Sequence, residues 1–283
     1  MVSRIDTRIN APVGWRSVPH KYASVEGVAT YVHHVGPTTL PEVVPDLGRG
    51  ETVVCLHCSG GNGAMFAELL EALAASHSPL ALDLPGHGRS GGLDSLGSIE
   101  TMAGFVRAFL ARWGIARPVL LGHSMGGAVA LRLALDEPDR VRALVLVASG
   151  ARFRGAALPL IRRVVEGKAR RPFFRDAYAP DASPDVLRRG FLEDLKTDPR
   201  TLAGDLEACR AFDAEKELER VAAPTLVVIG EHEDAEQRAR GELLAARIPG
   251  ARLVSLPGAA HMVPLEKPAA LAHAVADFLR ALP

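Results

Sequence analysis

A short apolar run, Val119-Leu-Leu, ends in Gly122-His-Ser124-Met-Gly126-Gly127 and passes at once into a helical pattern with apolar residues at Ala128, Val129, Leu131 and Leu135. A buried strand that becomes a helix within so few residues constrains the chain to a layered α/β structure. Glycines on both sides of one serine mark a turn tight enough to push that serine into a sparsely populated backbone conformation, its hydroxyl raised above a sheet edge. Ser124 is therefore the first candidate nucleophile. A second match, Gly88-Arg-Ser90-Gly-Gly92, lies in a Pro- and Gly-rich turn with no helix directly behind it, and Ser90 is read as a turn residue.

Around this point apolar runs and helical stretches alternate, the signature of a mostly parallel sheet covered on both faces. Trp15–Ser24 and Val28–Val35 read as an N-terminal hairpin around Glu26-Gly27. Further strands are expected at Thr52–His57, Leu80–Leu84, Val119–Leu121, Ala143–Val147, Thr225–Ile229 and Arg252–Leu256. Helices are expected over Ala64–Ala75, from a Ser98 cap to Trp113, from about Glu236 to Arg247, and over Pro268–Leu279.

Between residues 151 and 219 the alternation stops, and three helical segments follow one another: Leu158–Val165, one begun by Ser183-Pro184 and one begun by Asp198-Pro199 with Leu202, Leu206, Cys209 and Phe212 on one face. The expected organisation is a core of residues 1–150 and 220–283 with a helical cap, 151–219, over the carboxyl edge of the sheet, where α/β ligands bind. Residues 151–175 hold eight Lys or Arg against Glu166, whereas 176–219 hold twelve acids against six bases. Charges of this kind are expected to pair within the cap on a solvated face; the alternative is a guide for anionic substrates.

The 33 basic and 33 acidic residues balance, so no global field argues for nucleic acid or a membrane surface, and a small-molecule substrate is the simpler expectation. The first twenty residues lack a continuous apolar core, and no apolar stretch reaches the roughly 18 residues of a membrane span, so a cytoplasmic protein is expected. Cys55, Cys58 and Cys209 form no zinc spacing, and Cys55-Leu-His-Cys58 lacks the following helix of a redox motif. Neither a metal nor a cofactor is called for. His87 and His123 are read as structural. Oligomeric state is not encoded in any of these features.

A serine hydroxyl needs a base to take its proton, and the base needs an acid to orient it. His261, in Pro257-Gly-Ala-Ala-His-Met just past the last strand, follows Ser124 in the order serine, acid, histidine. Between them the strand Thr225–Ile229 ends in Gly230-Glu-His-Glu233-Asp234, which offers two carboxylates at a strand's carboxyl end.

Together with the elbow, Asp83-Leu-Pro-Gly-His-Gly-Arg-Ser90, Pro224-Thr-Leu-Val-Val-Ile-Gly-Glu231 and Leu256-Pro-Gly-Ala-Ala-His261 make the chain resemble the α/β-hydrolase superfamily, most of all its small soluble carboxylesterases and enol-lactone hydrolases. The resemblance covers the chain from about residue 25 and implies the α/β-hydrolase fold with a helical cap insertion. It implies a cofactor-independent serine hydrolase of carboxylic esters, with lactone, thioester or C–C bond hydrolysis as alternatives that reuse the same groups. From another class stands a non-catalytic binding protein on the same fold. The family's acid is usually an aspartate three residues after the glycine, which here is Glu233, with Asp234 beside it. The resemblance also implies an oxyanion hole from the Met125 amide and from Ser59 in His57-Cys-Ser-Gly-Gly61, where Cys58 stands in place of the usual glycine.

Overall fold

In the computed structural model, residues 20–282 are described, so Trp15 to Pro19 of the expected first strand lie outside the described residues. Eight strands form one sheet: β1 (His20–Val25), β2 (Val28–His34), β3 (Thr52–Leu56), β4 (Ser78–Leu82), β5 (Val119–His123), β6 (Ala143–Val147), β7 (Thr225–Gly230) and β8 (Arg252–Leu256). Their spatial order is β1-β2-β4-β3-β5-β6-β7-β8. The β1–β2 and β2–β4 pairs are antiparallel and every other pair is parallel. The β1–β2 hairpin turns on Glu26 and Gly27, both at positive φ (48° and 80°), as a tight turn matched to strand twist requires.

The central strands are apolar because both faces are covered. Along β3, Val53 and Cys55 point to one face and Val54 and Leu56 to the other; β5, β6 and β7 alternate likewise, which divides the core into two layers. One layer is closed by α2 (Ile99–Arg112), α3 (Met125–Asp136) and α7 (Ala235–Arg247), the other by α1 (Ala67–Leu73) and α9 (Pro268–Arg280). The expected helix over 64–75 is shorter than its apolar pattern, because Asn62 caps a 3-10 turn, Gly63–Phe66, that precedes α1. Ser98 caps α2 as expected, accepting from the Thr101 amide at 3.1 Å.

Between β6 and β7 the chain is helical: α4 (Leu158–Val165), α5 (Pro184–Asp194) and α6 (Pro199–Ala211), with Ser183 and Asp198 capping the latter two. The Arg162–Glu207, Lys168–Glu166 and Arg171–Asp194 pairs, at 2.6, 2.9 and 2.9 Å, join bases and acids inside this segment. One detail departs from expectation. On α6 the buried positions are Thr201, Leu202, Asp205, Ala208 and Cys209, whereas Leu206 is only half-buried, so an aspartate occupies the inward face. After His261 a short α8 (Val263–Glu266), absent from the sequence reading, precedes α9.

Candidate active site

Parallel strands deliver their following loops to one edge of the sheet. Ser124 follows β5, Glu233 follows β7, His261 follows β8, and the His57–Gly61 loop follows β3. β3 is also where the strand order reverses, toward β4 on one side and β5 on the other, which is the place α/β sheets open a crevice.

Ser124 sits at φ 52°, ψ −113°, a conformation that costs on the order of 1–3 kcal/mol and persists only where the surroundings enforce it. They do so here by hydrogen bonds. The Ser124 amide donates to Val147 O at 2.9 Å, and Ser124 O accepts from Ser149 Oγ at 2.7 Å and from the Gly127 amide at 3.0 Å. The flanking glycines are needed for closeness: a Cβ on Gly122 would lie 2.2 Å from Gly126 O, and one on Gly126 2.1 Å from Leu56 O. The obstacles are backbone, so α3 would have to move off β3. Gly126→Ala is accordingly expected to destabilise the protein by about 1–3 kcal/mol and to lower turnover, measured by thermal unfolding and ester hydrolysis.

His261 and Glu233 converge on the serine. His261 Nε2 lies 3.1 Å from Ser124 Oγ, and His261 Nδ1 lies 3.1 Å from Glu233 Oε1. The Glu233 side chain is fully buried. An ionised carboxylate only accepts, so Nδ1 must donate to it, which leaves the Nε2 lone pair facing the Ser124 hydroxyl. Asp234, the other sequence candidate, is not brought to His261. It is the N-cap of α7, its Oδ1 accepting from the Gln237 amide at 2.8 Å. The longer glutamate reaches the imidazole without displacing that cap.

The loop carrying His261 is held from three sides. His123 Nε2 donates to His261 O at 2.8 Å, the Ala260 amide donates to Glu266 Oε2 at 2.9 Å, and the Met262 amide donates to Ala177 O at 3.1 Å. The structural reading of His123 thus acquires a location: its ring holds the backbone carbonyl of His261. Burial, reinforced by the neighbouring His261, pushes His123 down to about 3, so it is neutral beside the serine.

Met125 opens α3, so its amide is one that the helix itself cannot use and lies at the positive end of the helix dipole. Ser59 lies in the turn that closes with the Gly61 amide on Cys58 O at 3.0 Å, its own hydroxyl 3.6 Å from Cys209 Sγ. Cys58 takes the place of the family's glycine without strain, because the left-handed residue of this loop is Gly60 (φ 67°) and Cys58 is not in that region. Desolvation pushes the Cys58 thiol up to about 12, which keeps it from thiolate chemistry at neutral pH. Among the described residues no group of three His, Cys, Asp or Glu side chains is arranged to hold a metal ion. No helix among them is long and apolar enough to cross a membrane.

Residues 53–274 match the alpha/beta hydrolase family. The chain belongs to that family. It is 33% identical over 263 residues to the pimeloyl-(acyl-carrier protein) methyl ester esterase of Neisseria meningitidis serogroup B, covering 80% of this chain and 92% of that protein. Among solved structures it superposes on the enol-lactonase of Burkholderia xenovorans LB400 with a TM-score of 0.77 at 28% identity, covering 92% of this chain and 99% of that one. A thermophilic esterase of Thermogutta terrifontis gives a TM-score of 0.78 at 25% identity over 94% and 99% of the two chains. This alpha/beta hydrolase is an enzyme of the esterase type, as the four sequence motifs led one to expect.

Two contributors escaped the sequence reading. Glu266 holds the His261 loop and, through Oε1, the Ala179 amide at 2.6 Å. Asp205 reaches the loop after β3 from the helical segment, donating partners being the Gly60 amide at 2.9 Å and His87 Nε2 at 2.7 Å. The one available signal for Asp205 was its spacing of three or four residues from Leu202 and Cys209, which places a charge on an apolar helix face.

Proposed function

We propose that this alpha/beta hydrolase cleaves carboxylic esters by covalent catalysis at Ser124, with His261 as base and Glu233 as the acid that orients it. The observation that carries the reading is the pair of 3.1 Å contacts running from Glu233 through His261 to Ser124. His261 Nε2 takes the hydroxyl proton as Ser124 Oγ attacks the ester carbonyl, and the Met125 and Ser59 amides receive the developing oxyanion. The imidazolium then returns the proton to the departing alkoxide. Water enters, His261 removes its proton, and hydroxide attack releases the carboxylic acid and restores Ser124.

The buried, neutral His123 beside His261 supports this assignment, since a second cation there would oppose the imidazolium that the first step creates. The relatives named above act on a methyl ester, by the first name, and an enol-lactone, by the second. Hydrolysis of p-nitrophenyl esters of graded acyl length, measured beside lactones and thioesters, tests the reading. Ester turnover that disappears with Ser124→Ala upholds it, and equal turnover by that variant contradicts it.

The helical segment 151–219 acts in this reading as a cap that walls the substrate pocket. Its bases are expected to be solvated rather than to guide substrates. Arg162 pairs with Glu207 while both stay about half exposed, at 54% and 45%. Reversing Arg162 and Arg163 to glutamate is therefore expected to change kcat/KM for neutral esters less than about threefold. A large loss confined to anionic esters would make these arginines a guide instead.

A further inference from the structure

We propose that Asp205, a residue of the helical segment, is a positioning residue for the oxyanion pocket, holding the loop after β3 so that the Ser59 amide faces the reacting carbonyl. The inference rests on the reading of Ser59 as an oxyanion donor. Its basis is a buried network that the hydrolytic relay does not use. Asp205 is fully buried on α6, and its Oδ2 accepts both the Gly60 amide at 2.9 Å and His87 Nε2 at 2.7 Å.

The protonation of this network follows from its partners. His87 Nδ1 lies 3.0 Å from Pro85 O, and His87 Nε2 faces the Asp205 carboxylate. Both partners only accept, so both ring nitrogens carry protons and His87 is an imidazolium. Burial pulls the His87 imidazole down, but the Asp205 charge and hydrogen bond, with the Pro85 carbonyl and the Asp83 charge, outweigh it and leave it raised. Burial likewise pushes Asp205 up, and His87, the Gly60 amide and Ser95 together more than reverse this. An unpaired carboxylate bonded to the residue next to Ser59 would oppose a developing oxyanion. The imidazolium cancels that charge while leaving the acceptor in place.

Adjacent to it, His57 packs 4.6 Å from the His87 ring. The Leu84 amide donates to His57 Nε2 at 3.1 Å, so His57 Nδ1 carries the proton and donates to Cys58 O at 2.8 Å. The Gly61 amide donates to the same carbonyl at 3.0 Å. In a planar trans peptide the C=O and N–H point in opposite directions. Holding Cys58 O from one side therefore aims the Ser59 N–H to the other. The next peptide plane is fixed by Asp205 through the Gly60 N–H. Ser59 thus stands between one carbonyl held by the core and one amide held by α6, and its own N–H is left for substrate.

Two variants test the proposal. Asp205→Asn keeps a neutral acceptor for the Gly60 amide in the same shape, and the double variant His87→Leu with Asp205→Leu removes the acceptor without stranding a buried charge. Sites are counted by fluorophosphonate titration, and kcat for p-nitrophenyl butyrate is expressed per titrated site. Exchanging a charged for a neutral acceptor is expected to lower it about fivefold in D205N. Losing the acceptor altogether is expected to lower it about 30- to 100-fold, near the loss of one oxyanion donor. KM should stay within about threefold, and affinity for phenylboronic acid, which forms a tetrahedral adduct, should fall in step with kcat. A role confined to stability would lower the melting temperature and leave kcat per site and boronate affinity unchanged, which would overturn the proposal, as would a rise in KM with kcat intact. A wild type that takes up no fluorophosphonate would overturn the esterase reading and this inference together; a labelled variant with unchanged kcat overturns this inference alone.

Discussion

Ester turnover is expected to fall by about 10⁴- to 10⁶-fold when Ser124 is replaced by alanine, the scale on which a member of such a relay is lost. The elbow itself should survive, because its backbone is held by Val147 O, Ser149 Oγ and the Gly127 amide rather than by the serine hydroxyl. The matching serine of the second Gly-x-Ser-x-Gly sequence supplies the control. Ser90 Oγ accepts from the Tyr31 amide at 2.8 Å and donates to Asp83 O at 2.6 Å, so it ties the turn after β4 to β2. Ser90→Ala should cost about 1–3 kcal/mol of stability through the unpaired backbone groups and leave turnover per folded molecule unchanged. Kinetics and thermal unfolding on both variants separate the roles, and reversed effects would move the nucleophile away from Ser124.

Glu233→Gln should cripple the enzyme almost as thoroughly, by about 10⁴-fold in kcat. The carboxylate selects the His261 tautomer whose Nε2 can accept from Ser124. Glutamine can turn its NH₂ toward Nδ1, which shifts the ring proton to Nε2 and abolishes the base. It also removes the negative charge that stabilises the imidazolium. Asp234→Asn, one residue on, should change kcat by well under tenfold, since asparagine caps a helix nearly as well as aspartate and only the favourable charge at the start of α7 is lost. Steady-state kinetics with the opposite ranking would return the role to Asp234, and two mild effects would place the acid elsewhere.

The elbow was legible in the sequence because backbone geometry there demands glycine on both sides of Ser124, and the succession of strands along the chain was legible because buried parallel strands read as unbroken apolar runs. Carboxylates at the end of β7 were equally visible, but two neighbouring acids, Glu233 and Asp234, differ by a turn of the chain that only three-dimensional closure decides. One points inward to His261 and the other caps α7. Contacts from the helical segment were less visible. Asp205 lies on a helix whose amphipathic pattern is satisfied almost as well by Leu206, and its partners, Gly60 and His87, stand 145 and 118 residues away. A pattern of local period carries no information about such pairings. His123 and His87 read as structural from the sequence; what their ring nitrogens hold emerges only from the assembled loops.

The central claim is a covalent bond between the substrate's acyl group and Ser124. Wild-type protein mixed with a p-nitrophenyl ester, quenched in acid within the first turnovers and analysed by intact mass and peptide mapping, measures it directly. The account predicts one added acyl group, on the peptide containing Ser124, and none on the Ser124→Ala variant. Turnover that proceeds with no acyl group on Ser124, or with the acyl group on Cys58, would contradict it.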